Sequence, residues 1–386
     1  MSAAGLTTSA KGQVFTDLYN FAGGTSDGAR PQGSLTDVNG ILYGMTLEGG
    51  AIDQGTIISF NPATGTESQL YSFAGSPNDG AGPYGSFVQS TTDSSLLYGV
   101  TETGGQGSGT IISFDTSTNT ESVLGAFNTA PLGFPEAGVV QSGNTLYGVA
   151  KNLFSFNLTG GGSPSLLYAF GGPPDGRVGV GTPVLIGSTL YGMTEIGGTG
   201  GNGAIYSYNL STGVETVVHS FGGTPDGAAP SGSLARSGTL LYGLTNGGGT
   251  NGNDGTLFSY DTSDGQYTVL LSFGGLFGGD PHGDPLVDGS TLYGVGASVG
   301  SGAGGVFAFD TLTDSLTLLH AFDVSDGNQP NGGLTLVGNT LYGMTKGGGA
   351  DSNGVIFSIQ LPEPGTVTLL LVSAISLIRR PRRKLR

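Results

Sequence analysis

Cysteine and tryptophan are absent from this chain of 386 residues. Without cysteine, disulfides and thiolate metal sites are excluded. Without tryptophan, a platform that stacks on a sugar ring has to use tyrosine or phenylalanine. Charge is scarce as well, at 10% of residues against 36% hydrophobic. That balance is too apolar for a disordered chain. Basic residues are the scarcest charge, and six of the twelve occupy the last eight positions. Residues 1–361 therefore hold six basic against 27 acidic residues, a net charge of −21. Such a body repels nucleic acid, which needs Lys and Arg against its phosphates. An acidic body on a basic tail separates two tasks. The first ten residues, Met1 to Ala10, lack the apolar core of a secretory signal. Either the true start lies upstream, the favoured reading, or the chain is not exported by such a signal.

What is abundant is glycine, 76 residues, which disfavours long helices. The tripeptide Leu-Tyr-Gly occurs seven times, with Tyr43, Tyr98, Tyr147, Tyr191, Tyr242, Tyr293 and Tyr342 at its centre. The spacings are 55, 49, 44, 51, 51 and 49 residues. A period near fifty marks one structural unit copied in series. Within a unit, apolar pieces such as Ile41–Thr46, Thr56–Phe60 and Thr66–Phe73 are short, β-branched or aromatic, and bounded by Gly, Asn or Asp. That is a strand-and-hairpin pattern. Four strands per unit and seven units predict an all-β, seven-bladed propeller of antiparallel blades. The third strand alternates bulky and small residues, as in Leu257-Phe-Ser-Tyr260, which suits blades packed face to face. Val14–Phe21 matches the fourth strand of other units, such as Leu70–Phe73, and the last unit stops after its third strand at Ile359. The amino-terminal strand is therefore expected to close the seventh blade, removing the exposed edges. The expected divisions are a disordered segment 1–13, the propeller 14–360 and a tail 361–386.

These Leu-Tyr-Gly-Met-Thr, Gly-Gly-Gly and Ser-Phe elements resemble the GloVer (Gloeobacter/Verrucomicrobia) tandem repeat of bacterial surface proteins, and more loosely a Kelch-like strand order. The resemblance implies an exported, anchored protein. After Ile359 the composition changes. Pro362-Glu363-Pro364, an apolar stretch from Thr366 to Ile378 and the cluster Arg379, Arg380, Arg382, Arg383, Lys384 and Arg386 resemble a PEP-CTERM sorting signal. That resemblance implies an exosortase as partner, removal of the tail, and display at the cell surface or in an exopolysaccharide matrix. An apolar segment in the bilayer with its basic cluster in the cytoplasm fits the same picture. Thirteen residues at ~1.5 Å each reach only about 20 Å, short of a hydrocarbon core of ~30 Å.

The candidate chemistry is sparse. Asp27, Asp79, Asp175, Asp226 and Asp326 recur before glycine between one unit and the next, with Asp280 and Asp284 in the corresponding loop before Tyr293. A ring of carboxylates on one face suits Ca²⁺, but Asp-Gly also makes tight turns unaided, and the turn is the stronger reading. His219 and His320 stand where other units carry tyrosine, and the remaining histidine is His282; no metal-binding spacing links them. The Gly-Gly-Gly runs lead into strands and lack the Gly-Lys-Ser/Thr of a phosphate loop. The third unit is irregular, because Leu146-Tyr-Gly-Val-Ala-Lys-Asn-Leu-Phe154 has lost its Gly-rich loop. Neutral drift of one repeat is the stronger reading, and the alternative is a notch, flanked by Lys151 and Arg177, that would admit an acidic glycan or peptide. No cofactor is expected. The leading reading is a non-catalytic interaction module, and the alternative a secreted polysaccharide lyase or hydrolase. The lack of cysteine disfavours a propeller copper oxidase. Acidic or aromatic residues peculiar to one or two blades and meeting on the axis would favour an enzyme.

Overall fold

The computed structural model describes residues 7–8, 13–127, 130–275, 278–298 and 302–362. They form seven antiparallel blades around one axis. In sequence order the blades cover 28–72, 80–126, 139–168, 176–220, 227–272, 281–321, and 335–360 together with 14–20. The innermost strand of each blade lines the axis and the outermost faces solvent. Val14–Asn20 is the outer strand of blade 7 and pairs antiparallel with Val355–Gln360. Ring closure through the amino end is thus as expected. Thr7–Thr8 lies parallel to the outer strand of blade 6, with Thr7 against Thr317 and Thr8 against Leu318. Among the described residues no helix is long and apolar enough to cross a membrane.

The core is seven seams rather than one centre. One apolar cluster joins Leu244 and Leu257 of blade 5 to Leu292, Phe307 and Phe309 of blade 6. Another joins Leu42 and Phe60 of blade 1 to Met344 and Ile356 of blade 7. The third strands are buried on both sides, with Phe60, Phe114, Phe258, Phe309 and Phe357 fully enclosed. At roughly 1.5–3 kcal/mol per buried large side chain, these strands dominate the apolar stabilisation. The repeated Leu-Tyr-Gly belongs to the second strand. Its leucine is fully buried in Leu42, Leu97, Leu146, Leu190, Leu241 and Leu341. Its tyrosines Tyr43, Tyr98, Tyr242 and Tyr293 are buried too, as core residues. Its glycine faces Ile58 at Gly44 and Ile112 at Gly99, whereas in five of the seven copies it sits opposite an aromatic of the third strand, as Gly243 against Phe258 and Gly294 against Phe307. The ring lies across the space a side chain would fill.

Candidate functional site

The inner strands explain how seven blades meet at a hub. Six of them contain, or are led into by, Pro-x-Gly or its close variant: Pro31, Pro83, Pro135, Pro230, Pro281 and Pro330. The residue before each proline is left-handed, at Arg30, Gly82, Phe134, Ala229, Asp280 and Gln329, as is Val178 in blade 4, with φ between 48° and 61°. Only one of the seven is glycine, so the strain of about 1–2 kcal/mol per residue has to be held by its surroundings. It is held across the seam. Arg30 donates its backbone N–H to the Asn353 carbonyl at 2.8 Å, Gly82 to Gln54 at 2.8 Å and Gln329 to Ala303 at 2.9 Å. Each proline ring rests on a glycine that ends the preceding blade's loop, Pro83 on Gly55 and Pro330 on Gly304.

Next the inner strand leaves its own blade. Residues 84 to 88 span what Val100 to Tyr98 cover on the partner strand, and the same bulge recurs at Val180, Ser231 and His282. The freed backbone presses on the next blade instead. Gly33 packs against the carbonyl of Gly85, Gly181 against Gly232, Gly232 against Gly283 and Gly332 against Gly33. No side chain fits between these backbones. Hydroxyls tie the same ring: the Ser34 N–H donates to Ser86 Oγ at 2.8 Å, and the Thr182 N–H to Ser233 Oγ at 2.8 Å.

A cavity of about 330 Å³ opens over this hub. The residue between proline and glycine faces it, and this position does not repeat: Gln32, Tyr84, Glu136, Val180, Ser231, His282 and Asn331. Some neighbours pair, since Asn331 Nδ2 donates to Gln32 Oε1 at 3.1 Å and Ser231 Oγ to Asn246 Oδ1 at 2.6 Å. His282 Nε2 lies 3.2 Å from Asp280. Lys151, between the second and third strands of blade 3, and Glu195, on the second strand of blade 4, join them. Desolvation raises the Glu136 carboxyl above the ordinary range, and the like charges of Glu102 and Glu195 add to it while Lys151 opposes. Burial, with Glu136 and Glu102 nearby, raises the Tyr84 phenol.

Blade 3 has a shortened connection at this mouth. Lys151 alone separates its second and third strands, at φ 62°, whereas blade 1 has residues 50–55 at that place. The loss is matched in blade 4. Gly179 stands where other blades have proline, donates to the Lys151 carbonyl at 3.0 Å, and packs against Val149. Lys151 Nζ sits 5.3 Å from the Phe134 ring centre, a cation–π contact. Arg177 is not brought to the cavity; it is exposed on the inner strand of blade 4, opposite Ile196. The notch therefore presents one cation among carboxylates, a correction to the expected pair.

The recurring aspartates are occupied by turns. Asp79 accepts from the N–H groups of Ala74 and Gly80 at 2.6 Å and from the Tyr71 hydroxyl at 2.9 Å. Asp27 and Asp175 repeat this with Tyr19 and Tyr168. At Asp226 and Asp326 the partner is His219 or His320. The two histidines thus replace tyrosine in a fixed bond. Among the described residues no group of His, Asp or Glu is arranged to hold a metal ion. Pro362 is the last described residue. Glu363, Pro364 and the basic cluster lie outside the described residues.

Comparison with known proteins fits this geometry. An oligogalacturonate lyase in complex with manganese superposes with a TM-score of 0.54 at 13% identity, over 92% of this chain and 99% of that one. A 6-phosphogluconolactonase candidate from Bacteroides fragilis gives a TM-score of 0.51 at 18% identity, over 81% and 86%. At such identities the likeness is one of fold. No curated protein matches the chain. The family model of the Gloeobacter/Verrucomicrobia repeat matches residues 6–160, 152–296 and 187–376. With overlapping matches running almost end to end over seven copies of one blade, the chain belongs to the Gloeobacter/Verrucomicrobia repeat family.

Proposed function

We propose that this protein is an exported interaction module that binds a saccharide at the axial mouth. The carrying observation is the position before the hub glycine. Around it proline, glycine and the seam bonds repeat, while the seven residues facing the cavity all differ. Asymmetry confined to one cavity suits a single bound ligand. Charge narrows the choice. Lys151 shares its surroundings with Glu102, Glu136 and Glu195, inside a body of net −21. This favours a neutral or amine-bearing sugar over an acidic glycan. Tyr84 offers an aromatic face for stacking. The C-terminal tail, as a PEP-CTERM-like signal read by an exosortase-type enzyme, would deliver the propeller to the surface or matrix.

Titration of the purified protein with neutral, amine-bearing and uronate oligosaccharides tests the reading. The paired change Tyr84→Ala and Glu136→Gln is expected to weaken binding at least about tenfold, roughly 1.4 kcal/mol. Leu312→Ser, on an exposed turn at the opposite face, should leave it unchanged. Equal affinity in all three proteins removes the axial site. A second reading, a polysaccharide lyase or hydrolase, is favoured by the raised Glu136 carboxyl near Tyr84, with His282 lining the same cavity, acidic and aromatic groups peculiar to single blades. New reducing ends or unsaturated products from the same oligosaccharides would decide for the enzyme; binding without product decides for the module.

A further inference from the structure

The outer rim carries a second recurring arrangement, independent of the axial ligand. Tyr19 of blade 7, Tyr71 of blade 1 and Tyr168 of blade 3 each reach across a seam to a glutamate on the next outer strand: Glu67, Glu121 and Glu215. The exchange is concerted. Where the tyrosine becomes histidine, the partner becomes aromatic, and the rings stack: His219 on Tyr267 and His320 on Phe15, both at 3.7 Å between centres. Glutamate accompanies tyrosine only.

A phenol has a single proton to donate. Tyr19 gives it to Asp27 at 3.0 Å, Tyr71 to Asp79 at 2.9 Å and Tyr168 to Asp175 at 3.1 Å. The hydroxyl oxygen can then only accept from the glutamate, and an ionised glutamate has nothing to give. One carboxyl oxygen of each of Glu67, Glu121 and Glu215 is buried without a partner.

We propose that three seams are latched by a proton: at the 7–1, 1–2 and 3–4 junctions a glutamic acid donates to the tyrosine hydroxyl, which donates to the aspartate. Loss of that proton breaks the chain and sets two carboxylates against each other across the seam. The surroundings agree. Burial, then the facing aspartate, pushes Glu67, Glu121 and Glu215 up to about 7. The groups that act on them are Asp27 and Tyr19, Asp79 and Tyr71, and Asp175 and Tyr168; Glu215 also bears on the buried Tyr206. A carboxyl whose folded value is raised stabilises the fold fully below the ordinary glutamate range. That contribution is lost as pH rises through about 7.

The thermal midpoint of the intact chain, measured from about pH 5 to about pH 8, is expected to fall by about 3 °C or more. In the triple variant Glu67→Gln, Glu121→Gln and Glu215→Gln the amide donates to the phenol at every pH, so the profile should flatten and lie above the wild type at the alkaline end. Parallel profiles overturn the latch. Should the triple variant fold poorly, Glu121→Gln alone should remove about a third of the slope, and an unchanged slope overturns it equally. Tyr71→Phe removes the relay and should lower the midpoint more at about pH 5 than at about pH 8; an equal loss means a packing role only. An infrared band of a protonated carboxyl near neutral pH, absent in the triple variant, completes the test.

Discussion

Removal of residues 1–22 is expected to abolish the cooperative unfolding transition. That change deletes the outer strand of blade 7 and strips the ladder from Val355–Gln360. It also takes Phe21, fully buried beside Leu42 and Ile356, and Phe15, which packs against Phe322 and Phe357. Four apolar side chains here, with Leu18 and Tyr19, account for more than about 5 kcal/mol even when their partial burial is discounted. That is comparable with the whole stability of a typical domain. The third strand of blade 7 would become an unpaired edge, open to association with other copies. Calorimetry and size-exclusion chromatography should show a broad transition and soluble aggregates. A chain lacking only residues 1–12 should keep the full-length midpoint, since Thr7–Thr8 contributes just a two-residue strand. A peptide of residues 13–22 added to the shorter protein should recover the transition. If removal of 1–22 leaves the midpoint unmoved, closure by the amino end is not what holds the ring.

A single methyl group should have the next largest effect. In Gly243→Ala the new carbon collides with the Phe258 ring, which is enclosed from all sides. The cost is about 2–3 kcal/mol, the upper part of the range for overpacked cores. Gly99→Ala makes a revealing comparison. Its cross-strand partner is Ile112 rather than an aromatic, and the added carbon meets Phe87 at 3.0 Å and the flexible end of Met45 at 3.2 Å. The expected cost is below about 1 kcal/mol. Urea midpoints of the two variants should separate clearly. Equal losses would mean that the glycine of Leu-Tyr-Gly answers to backbone geometry and not to the ring lying over it.

Much of the architecture was legible because one unit is written seven times. Leu-Tyr-Gly marks the second strand, and the spare strand at Val14–Asn20 accounts for the one missing from the last blade. The hub was legible too, in Pro83-Tyr84-Gly85 and its copies, but only to an alignment made on Pro-x-Gly; aligned on Leu-Tyr-Gly, the variable residue looks like noise. The acidic side of the mouth was not legible. Glu102 and Glu195 come from the second strands of blades 2 and 4 and Glu136 from the segment that leads into blade 3, and only the ring's curvature gathers them. Lys151 was found from the missing loop. Arg177, two residues beyond the Asp175 turn, was misplaced because its strand runs past the hub with that side chain turned to solvent. The rim pairing escaped notice because tyrosine and glutamate lie one blade apart, about fifty residues away in the chain.

The closure of blade 7 also fixes an order of events in time. Of these two paired strands a ribosome releases Val14–Asn20 before, and Val355–Gln360 after, all the blades between them. Until nearly the whole polypeptide has emerged, the first ribbon has no mate. That strand must stay unclaimed, and every intermediate length of the propeller has two raw ends.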